Sequence, residues 1–149
     1  DRYREVTPGT GGIGPLFQET ILNWDDRLEQ NELVLGVDTG AATRAYVIAE
    51  LPEEKSVIAD EVGGEPVVVF TEGGSAFGIA LSPVVDGTAL LFSATPEGWF
   101  SDDGTRWDAS GAAVSGPLAG STLEFITSFV TEWYGWAAYH PDTTIYGEL

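Results

Sequence analysis

The segment LVLGVDTGAAT, residues 33–43, decides the fold class. Apolar residues alternate with others on both sides of its DTG turn, a pattern typical of two antiparallel strands joined by a tight turn. Two more hairpin signals follow, at the glycine pair 63–64 and at the Asp-Gly pair 86–87, each between apolar runs. The chain is therefore predicted to consist of short strands at hairpin spacing.

The C-terminal part of the sequence changes its period. Five residues recur at spacings of 4, 4, 3 and 4, which predicts one face of an α-helix that stops before Pro141: Phe125, Phe129, Trp133, Trp136 and His140. The predicted fold class is mainly β. It is a β-rich α+β domain, in which a curled antiparallel sheet or partial barrel of hairpins carries one C-terminal helix packed on it.

The first thirty residues differ from the rest in composition. The Gly/Pro-rich run TPGTGGIGP predicts an irregular N-terminal arm over residues 1–30, with a short helical turn around residues 16–24 that packs on the body. Residues 31–149 are predicted to form a single β-rich domain, because a chain of 149 residues suits one domain.

The charge of the chain is strongly negative. Twenty-four acidic residues stand against six basic ones, the net charge is −18, and Lys55 is the only lysine. A nucleic-acid partner is excluded because no basic patch is available for the phosphates. Repulsion between so many acids is tolerated in concentrated salt, since the Debye length falls to about 3 Å at 1 M. We therefore expect a protein of a halophilic archaeon, whose acidic residues solvate its surface.

Missing residue types exclude further classes of function. The chain has no cysteine and no methionine, which excludes disulfides, thiolate catalysis and sulfur-ligated metals within it. No apolar run approaches the roughly 20 residues of a membrane span. No cofactor is expected. Membrane association is expected only through a partner, or through a signal or anchor outside this sequence, which opens without methionine.

Asp38 is the catalytic alternative. An apolar strand that leads into Asp-Thr-Gly-Ala is how the active-site loop of an aspartic protease reads, and a chain of this size would dimerise to bring two carboxylates together. Such a fold also needs a later apolar segment that leads into a helix, whereas GPLAGSTLEFI continues with β-branched residues. We therefore expect Asp38 at the tip of a turn and retain a dimeric aspartic-protease-like hydrolase as the alternative.

A serine hydrolase would have to combine Ser75 with His140, the only histidine. The run GGSAFG misses the Gly-x-Ser-x-Gly pattern by one residue, and strand-like sequence follows where the helix after the nucleophile should begin. His140 is therefore expected to end the C-terminal helix.

Three acids offer an alternative metal site. Asp102, Asp103 and Asp108 lie around a glycine and supply oxygen ligands of the kind that Ca²⁺ takes, but their spacing is not that of an EF-hand loop. A solvated acidic turn is the preferred interpretation, so that no metal is expected.

The aromatic residues near the C-terminus divide into two groups. The predicted helical face carries Trp133 and Trp136 into the core. Tyr134 and Tyr139 fall off that face and are the candidates for contact with a partner, since aromatic side chains dominate binding hot spots.

Several segments together resemble one known family. The segments LGVDTGAATRAYVI, EVGGEPVVVF, GSAF, GTRWDASGAAVSGPLAGSTLE and WYGWAAYHPDTTIY are similar to the family called domain of unknown function 3179, over about residues 33–146. The most specific pieces are GPLAG and the run that begins at Trp133 and ends in His-Pro-Asp-Thr. The resemblance implies structural roles for seven residues: Gly116, Pro117, Gly120, Trp133, Trp136, His140 and Asp142.

The resemblance also bears on function. Members of that family do not require an Asp at the turn that matches Asp38, and many carry a Cys-Pro-x-Cys segment before the Gly-Ser-Ala that matches residues 74–76. This chain has FTEGG there and no cysteine. Members often follow an export signal or lipid anchor. The chain is therefore expected to be a non-enzymatic extracytoplasmic accessory domain, at the cell surface or associated with the membrane, that docks on other protein subunits of a redox complex or surface assembly.

Overall fold

The computed structural model describes residues 25–147. Their strands, in chain order, are β1 Leu33–Asp38, β2 Thr43–Val47, β3 Lys55–Val62, β4 Glu65–Glu72, β5 Phe77–Leu81, β6 Val84–Val85, β7 Thr88–Ala89, β8 Phe92–Thr95, β9 Gly98–Ser101, β10 Arg106–Trp107, β11 Ala113–Ser115, β12 Phe125–Ile126, β13 Ser128–Glu132 and β14 Thr144–Ile145. The helical elements among them are α1 (Trp133–Tyr139) and 3-10 turns at Ile48–Glu50 and Gly73–Ser75.

The strands form three four-stranded sheets and one small ribbon. The first sheet has the order β13-β1-β2-β14, the second β12-β5-β4-β3 and the third β11-β10-β9-β8, while β6 pairs with β7. All pairings are antiparallel except that of β14 with β2. The predicted β-rich fold with a single C-terminal helix is confirmed for the described residues, and their sheets do not close into a barrel.

The three predicted hairpin turns are present where the sequence placed them. The DTG turn joins β1 to β2, the glycine pair 63–64 joins β3 to β4, and Asp86-Gly87 joins β6 to β7. All four residues of the last two turns have positive φ, from 51° to 84°. Glycine adopts such angles without steric cost, and Asp tolerates them, which is why these positions signal a hairpin so clearly.

A continuous segment connects the first sheet to the second. Its first part, β12, pairs with β5, and its second part, β13, pairs with β1. The change of sheet occurs at Thr127, whose carbonyl oxygen accepts the N–H of Asp38 at 2.9 Å. The two sheets therefore curl around a shared apolar core: Leu35, Val37, Tyr46, Ile48, Val62, Val67, Val69 and Ala80.

Helix α1 covers the opposite face of the first sheet. Trp133 and Trp136 are buried there against β1 and β2. Gly36 leaves the space for Trp136, because a Cβ at that position would lie 2.3–2.5 Å from the indole ring atoms. The indole Nε1 of Trp136 donates to Oγ1 of Thr143 at 2.9 Å, which ties the helix to the segment that leads into β14.

A third core lies between the second and third sheets. Phe70 of β4 stacks on Trp99 of β9, with ring centroids 5.1 Å apart and planes nearly parallel. The indole N–H of Trp99 donates to the carbonyl of Ser56 at 2.8 Å. Trp107 is also fully buried in this layer. Aromatic pairs of this kind add to the free energy gained by burying their area.

The first half of the predicted C-terminal helix is wrong. Phe125 and Phe129 lie in strands β12 and β13, and the helix begins only at Trp133. Four of the six residues from 126 to 131 are β-branched, which favours strands. Pairing with β1 then fixes the strand, with Phe129 opposite Gly36. Aromatic residues spaced by four matched the helical period by coincidence.

The N-terminal arm lies mostly outside the described residues, and so does the helical turn predicted around residues 16–24. The described end of the arm contacts α1: the carbonyl of Asp25 accepts the indole N–H of Trp133 at 3.0 Å, and the carbonyl of Gln30 accepts the N–H of Tyr134 at 3.0 Å. The division of the chain at residue 30 remains a prediction. Within residues 25–147, no helix has the length and apolarity to cross a membrane.

Candidate functional site

Asp38 lies at the end of β1, at the start of the DTG turn. Its Oδ1 accepts the backbone N–H of Gly40 at 2.8 Å, and Gly40 has a φ of +89°. The hydroxyl of Thr39 donates to the carbonyl of Val62 at 3.1 Å, which fixes the turn against β3. These contacts account for all three residue types as parts of a hairpin, and none of them favours the protease alternative.

Ser75 and His140 lie on different parts of the molecule. Ser75 ends the exposed 3-10 turn between β4 and β5, where the N–H groups of Gly73 and Gly74 donate to carbonyls of residues 52 and 53. His140 follows α1 on the first sheet, and its ring lies 3.9 Å from the ring of Trp136. The structure does not assemble a nucleophile and a base from this pair.

The acidic turn uses its carboxylates in local hydrogen bonds. Oδ1 of Asp103 accepts the hydroxyl of Ser101 at 2.6 Å, and Oδ1 of Asp108 accepts the hydroxyl of Ser110 at 2.6 Å. These hydrogen bonds are the largest cause that lowers the pKa of each carboxyl. Asp102 is exposed beside them. Across residues 25–147, no three His, Cys, Asp or Glu side chains group so as to hold a metal ion.

The GPLAG segment forms a tight turn against the third sheet. Gly116 has a φ of +99°, and a Cβ there would lie 2.6 Å from the Cα of Thr105. The hydroxyl of Thr105 accepts the N–H of Leu118 at 3.1 Å, and the N–H of Gly120 donates to the carbonyl of Ala113 at 3.0 Å. Pro117 is exposed at the tip. Close backbone approach therefore explains Gly116, and a φ of +93° explains Gly120, without any ligand.

The His-Pro-Asp-Thr run ends α1 and leads into β14. The N–H of Thr143 donates to the carbonyl of His140 at 3.0 Å, which closes a turn with Asp142 exposed on it. The Thr143 hydroxyl holds Trp136 as described above. Trp133 and Trp136 are buried, as the sequence pattern predicted.

One polar cluster was missed from the sequence, and we call it the Asp60 latch. Oδ2 of Asp60 on β3 accepts the hydroxyl of Tyr46 at 2.6 Å and Nη1 of Arg44 at 2.7 Å. Arg44 also donates from Nε to Oγ1 of Thr144 at 2.9 Å. The latch therefore joins the free edge of the second sheet to β2 and β14 of the first. The alternating Arg-Ala-Tyr, with both polar side chains on one face of β2, was the signal available in the sequence.

The latch shifts the titration of its members. Burial alone would raise the pKa of Asp60, but hydrogen bonds from Tyr46, Arg44 and the N–H of Glu61 outweigh burial, so that the pKa lies below its usual value. Burial, followed by the hydrogen bond to Asp60, raises the pKa of the Tyr46 hydroxyl. Asp60 is therefore held as a carboxylate, and Tyr46 as a neutral donor to it.

A groove of about 550 Å³ separates the second sheet from the third. Lys55 and Arg106 line it together with Glu72, and Nζ of Lys55 lies 3.7 Å from Oε2 of Glu72. Trp99 and Trp107 also line the groove but are almost fully buried. Half-buried Phe77 and exposed Ser75 and Ala109 also line it, so the wall of the groove is mixed, with charged and apolar parts.

The clearest exposed feature is aromatic. Phe125 on β12 is 56% exposed, Phe129 on β13 is 51% exposed, and Tyr139 on the last turn of α1 is 83% exposed. Phe129 packs edge-on against Trp136, one helical turn before Tyr139. We call these three residues the aromatic edge. Of the two predicted contact residues, Tyr139 belongs to it, whereas Tyr134 is half-buried.

Together, the fold and this surface define a β-rich domain with a hairpin-built core and an exposed aromatic edge. Comparison with known proteins places it more closely. The family model described as "Protein of unknown function (DUF3179)" matches residues 5–143, and the chain belongs to this family. No curated protein and no solved structure matches the chain.

Proposed function

We propose that the chain is a non-enzymatic extracytoplasmic interaction domain of a halophilic archaeon. It docks on another protein, as the accessory subunit of a membrane-associated redox complex or of a cell-surface assembly. In this proposal it is a member of its family that lacks the Cys-Pro-x-Cys segment, so its role is recognition of a partner and not thiol chemistry.

The aromatic edge is the observation that carries the proposal. Large aromatic side chains gain free energy when they leave water, and they anchor protein interfaces. Phe125, Phe129 and Tyr139 remain at least half exposed in a chain with a net charge of −18. Exposed aromatic side chains on so acidic a chain are most simply explained by a partner that covers them.

The geometry of the polar residues supports a role without catalysis. The carboxylates of Asp38, Asp60, Asp103 and Asp108 each accept hydrogen bonds that maintain a turn or the latch. Asp38, Asp103 and Asp108, three of the predicted catalytic or metal-binding residues, thus have structural uses that their contacts explain.

The test is purification of the native assembly from a salt-loving host. A tagged chain with Phe129 and Tyr139 both changed to Ser is compared with the wild type, and quantitative mass spectrometry measures the co-eluting subunits. We expect a defined partner to co-elute with the wild type and to be lost from the double variant. Leu91→Ser is the matched control, because Leu91 is 71% exposed beside the third sheet. A partner retained by the double variant, or a wild type that elutes alone as a stable monomer, would contradict the proposal.

A further inference from the structure

Strand β13 ends the first sheet with one edge that no described strand pairs. The β13 segment bonds to β1 and its extensions through odd-numbered residues. The carbonyl of Thr127 accepts the N–H of Asp38, and the N–H of Trp133 donates to the carbonyl of Glu32. In an antiparallel ladder the bonded positions alternate. The backbone N–H and C=O groups of Ser128 and Val130, and the N–H of Glu132, therefore point away from β1, toward the open edge. The carbonyl of Glu132, the N-cap residue of α1, is used by the helix.

The second sheet does not satisfy these groups. Strand β5 pairs with residues 125 and 126 only, and the contact at Ser128 uses its side chain, whose hydroxyl accepts the N–H of Ala80 at 3.0 Å. Among residues 25–147, β13 pairs with β1 only, although Ser128 at its start still contacts β5. Unpaired edges of this kind are templates for another chain.

The edge of β13 also lacks the charged residues that protect the edge strand β3 from pairing with other chains. Strand β3 ends the second sheet and carries Lys55, Asp60 and Glu61, and charges on an edge discourage pairing with other chains. From Phe125 to Thr131 the β12–β13 segment has no charge, no proline and no glycine. The aromatic edge supplies two exposed rings, Phe125 and Phe129, along the same segment.

The charge at the end of the open edge restricts the chemistry of a strand that could add to it. Glu132 ends this edge, whereas Glu124 lies beyond residues 125–126, which already pair with β5. A second copy of this chain would bring the same acid and a net charge of −18 to the contact. A strand with a basic residue opposite Glu132 and uncharged residues elsewhere is complementary.

We propose that an extended segment of the partner protein, uncharged apart from a basic residue opposite Glu132, adds to the open edge of β13 as a further strand. Main-chain hydrogen bonds to Ser128, Val130 and Glu132 give affinity, and contacts with Phe129 select apolar side chains on one face. This inference rests on the proposed function, because it specifies how the partner docks at the aromatic edge.

The test uses a blocked nine-residue peptide, Lys-Val-Thr-Val-Thr-Val-Thr-Val-Lys, added to the chain in concentrated KCl. Amide exchange followed by NMR should slow at Ser128, Val130 and Glu132 on addition of the peptide, and change little at Phe129 and Thr131. The same peptide with every internal amide N-methylated has no N–H to donate from either edge and should not bind. If the unmodified peptide does not change the exchange rates of the amides of Ser128, Val130 and Glu132, the inference is overturned.

A pair of variants isolates the backbone contribution. Glu132 has φ −79° and ψ 147°, which proline adopts, and its N–H points to the open edge. Glu132→Pro should therefore fold and bind the peptide about three- to tenfold more weakly than Glu132→Gln, which loses the charge but keeps the N–H. Equal affinity of the two variants would count against strand addition.

The outcomes separate this inference from the proposed function. If the native partner depends on Phe129 and Tyr139 while the peptide and Glu132→Pro have no effect, docking stands and strand addition is overturned. If the double substitution of Phe129 and Tyr139 also leaves partner binding unchanged, both the proposed function and strand addition are contradicted. Protection of the even-numbered amides in a concentration-dependent dimer, without peptide, would assign the edge to a second copy and overturn the partner strand.

Discussion

At the scale of single residues, one glycine and one carboxylate determine how α1 packs on the first sheet and how the first and second sheets are joined. Gly36 gives Trp136 its place on the first sheet, and Asp60 joins the two sheets that the hairpins build. Glycine at these contacts is explained by volume and not by turn geometry, since a methyl group would overlap the indole ring.

Gly36→Ala should destabilise the chain by about 3 kcal/mol, because its Cβ overlaps the Trp136 ring and the helix must move. Gly135→Ala is the matched control: it lies inside α1, with only Thr131 Oγ1 nearby at 3.8 Å, and should stabilise the chain by about 0.5–1 kcal/mol. Chemical unfolding in concentrated salt measures both. A neutral Gly36→Ala would contradict the described packing of α1.

The Asp60 latch predicts a response to pH. The pKa of Asp60 is lowered on folding, so its contribution is present above the unfolded value of about 3.9 and is lost as the pH falls through the folded value. Asp60→Asn should cost about 2 kcal/mol at neutral pH, and the difference from wild type should shrink below about pH 4. Urea unfolding between acid and neutral pH measures it. A difference that does not change with pH would contradict the latch.

Tyr46 predicts a loss of stability at high pH. Its pKa is raised on folding, so its contribution is present below the unfolded value of about 10 and is lost as the pH rises above that value. The stability of the wild type should therefore decline above about pH 10, and Tyr46→Phe, which carries no proton to lose, should decline less.

At the scale of elements, the described fold depends on a strand that changes sheets. Residues 125–132 pair first with β5 and then with β1, and this switch creates both the curled core and the open edge. A helix over the same residues would have left β1 unpaired on that side. This change of sheet therefore brings the first and second sheets together around their shared apolar core.

Amide exchange of the isolated chain should alternate along β13. The N–H groups of Phe129 and Thr131 point to β1 and should exchange slowly, while those of Val130 and Glu132 point to the open edge and should exchange much faster. Exchange rates measured by NMR test the pattern directly. A helical segment would instead protect successive amides, and that result would contradict the strand assignment.

The turns could be predicted from the sequence, and the long-range features could not. Gly40, Gly63 and Gly87 signal hairpins because positive φ is a local requirement that few residues meet. Strand β13 was mistaken for helix because Phe125 and Phe129 are spaced as on a helix, and only pairing with β1 decides between the two.

The candidate site was predictable only in part, for the same reason. Tyr139 could be predicted as a contact residue because its position lies outside the apolar face of the helix. The latch joins residues that are 16 and 100 positions apart in the chain. The exposure of Phe125 and Phe129 follows from the change of sheet. The alternating Arg-Ala-Tyr of β2 is the only local signal of the latch and does not name Asp60 or Thr144, and the exposure leaves no local signal, so local reasoning could not find either.

At the scale of the whole molecule, the charge sets the conditions under which the domain folds. A net charge of −18 on 149 residues repels itself, and salt relieves this repulsion by screening. The melting temperature should rise by about 10 °C or more between about 0.5 M and about 3 M KCl. Circular dichroism melts measure it, and equal melting temperatures at both salt concentrations would contradict the proposed halophilic origin.

The central claim is that the aromatic edge is covered by a partner in the native assembly. Hydroxyl-radical footprinting of the purified assembly and of the isolated chain, both in concentrated salt, tests it most directly. We predict that Phe125, Phe129 and Tyr139 are oxidised several-fold more slowly in the assembly, while Leu91, exposed elsewhere, is oxidised equally in both. Equal oxidation of the three aromatic residues in the two samples would contradict the account.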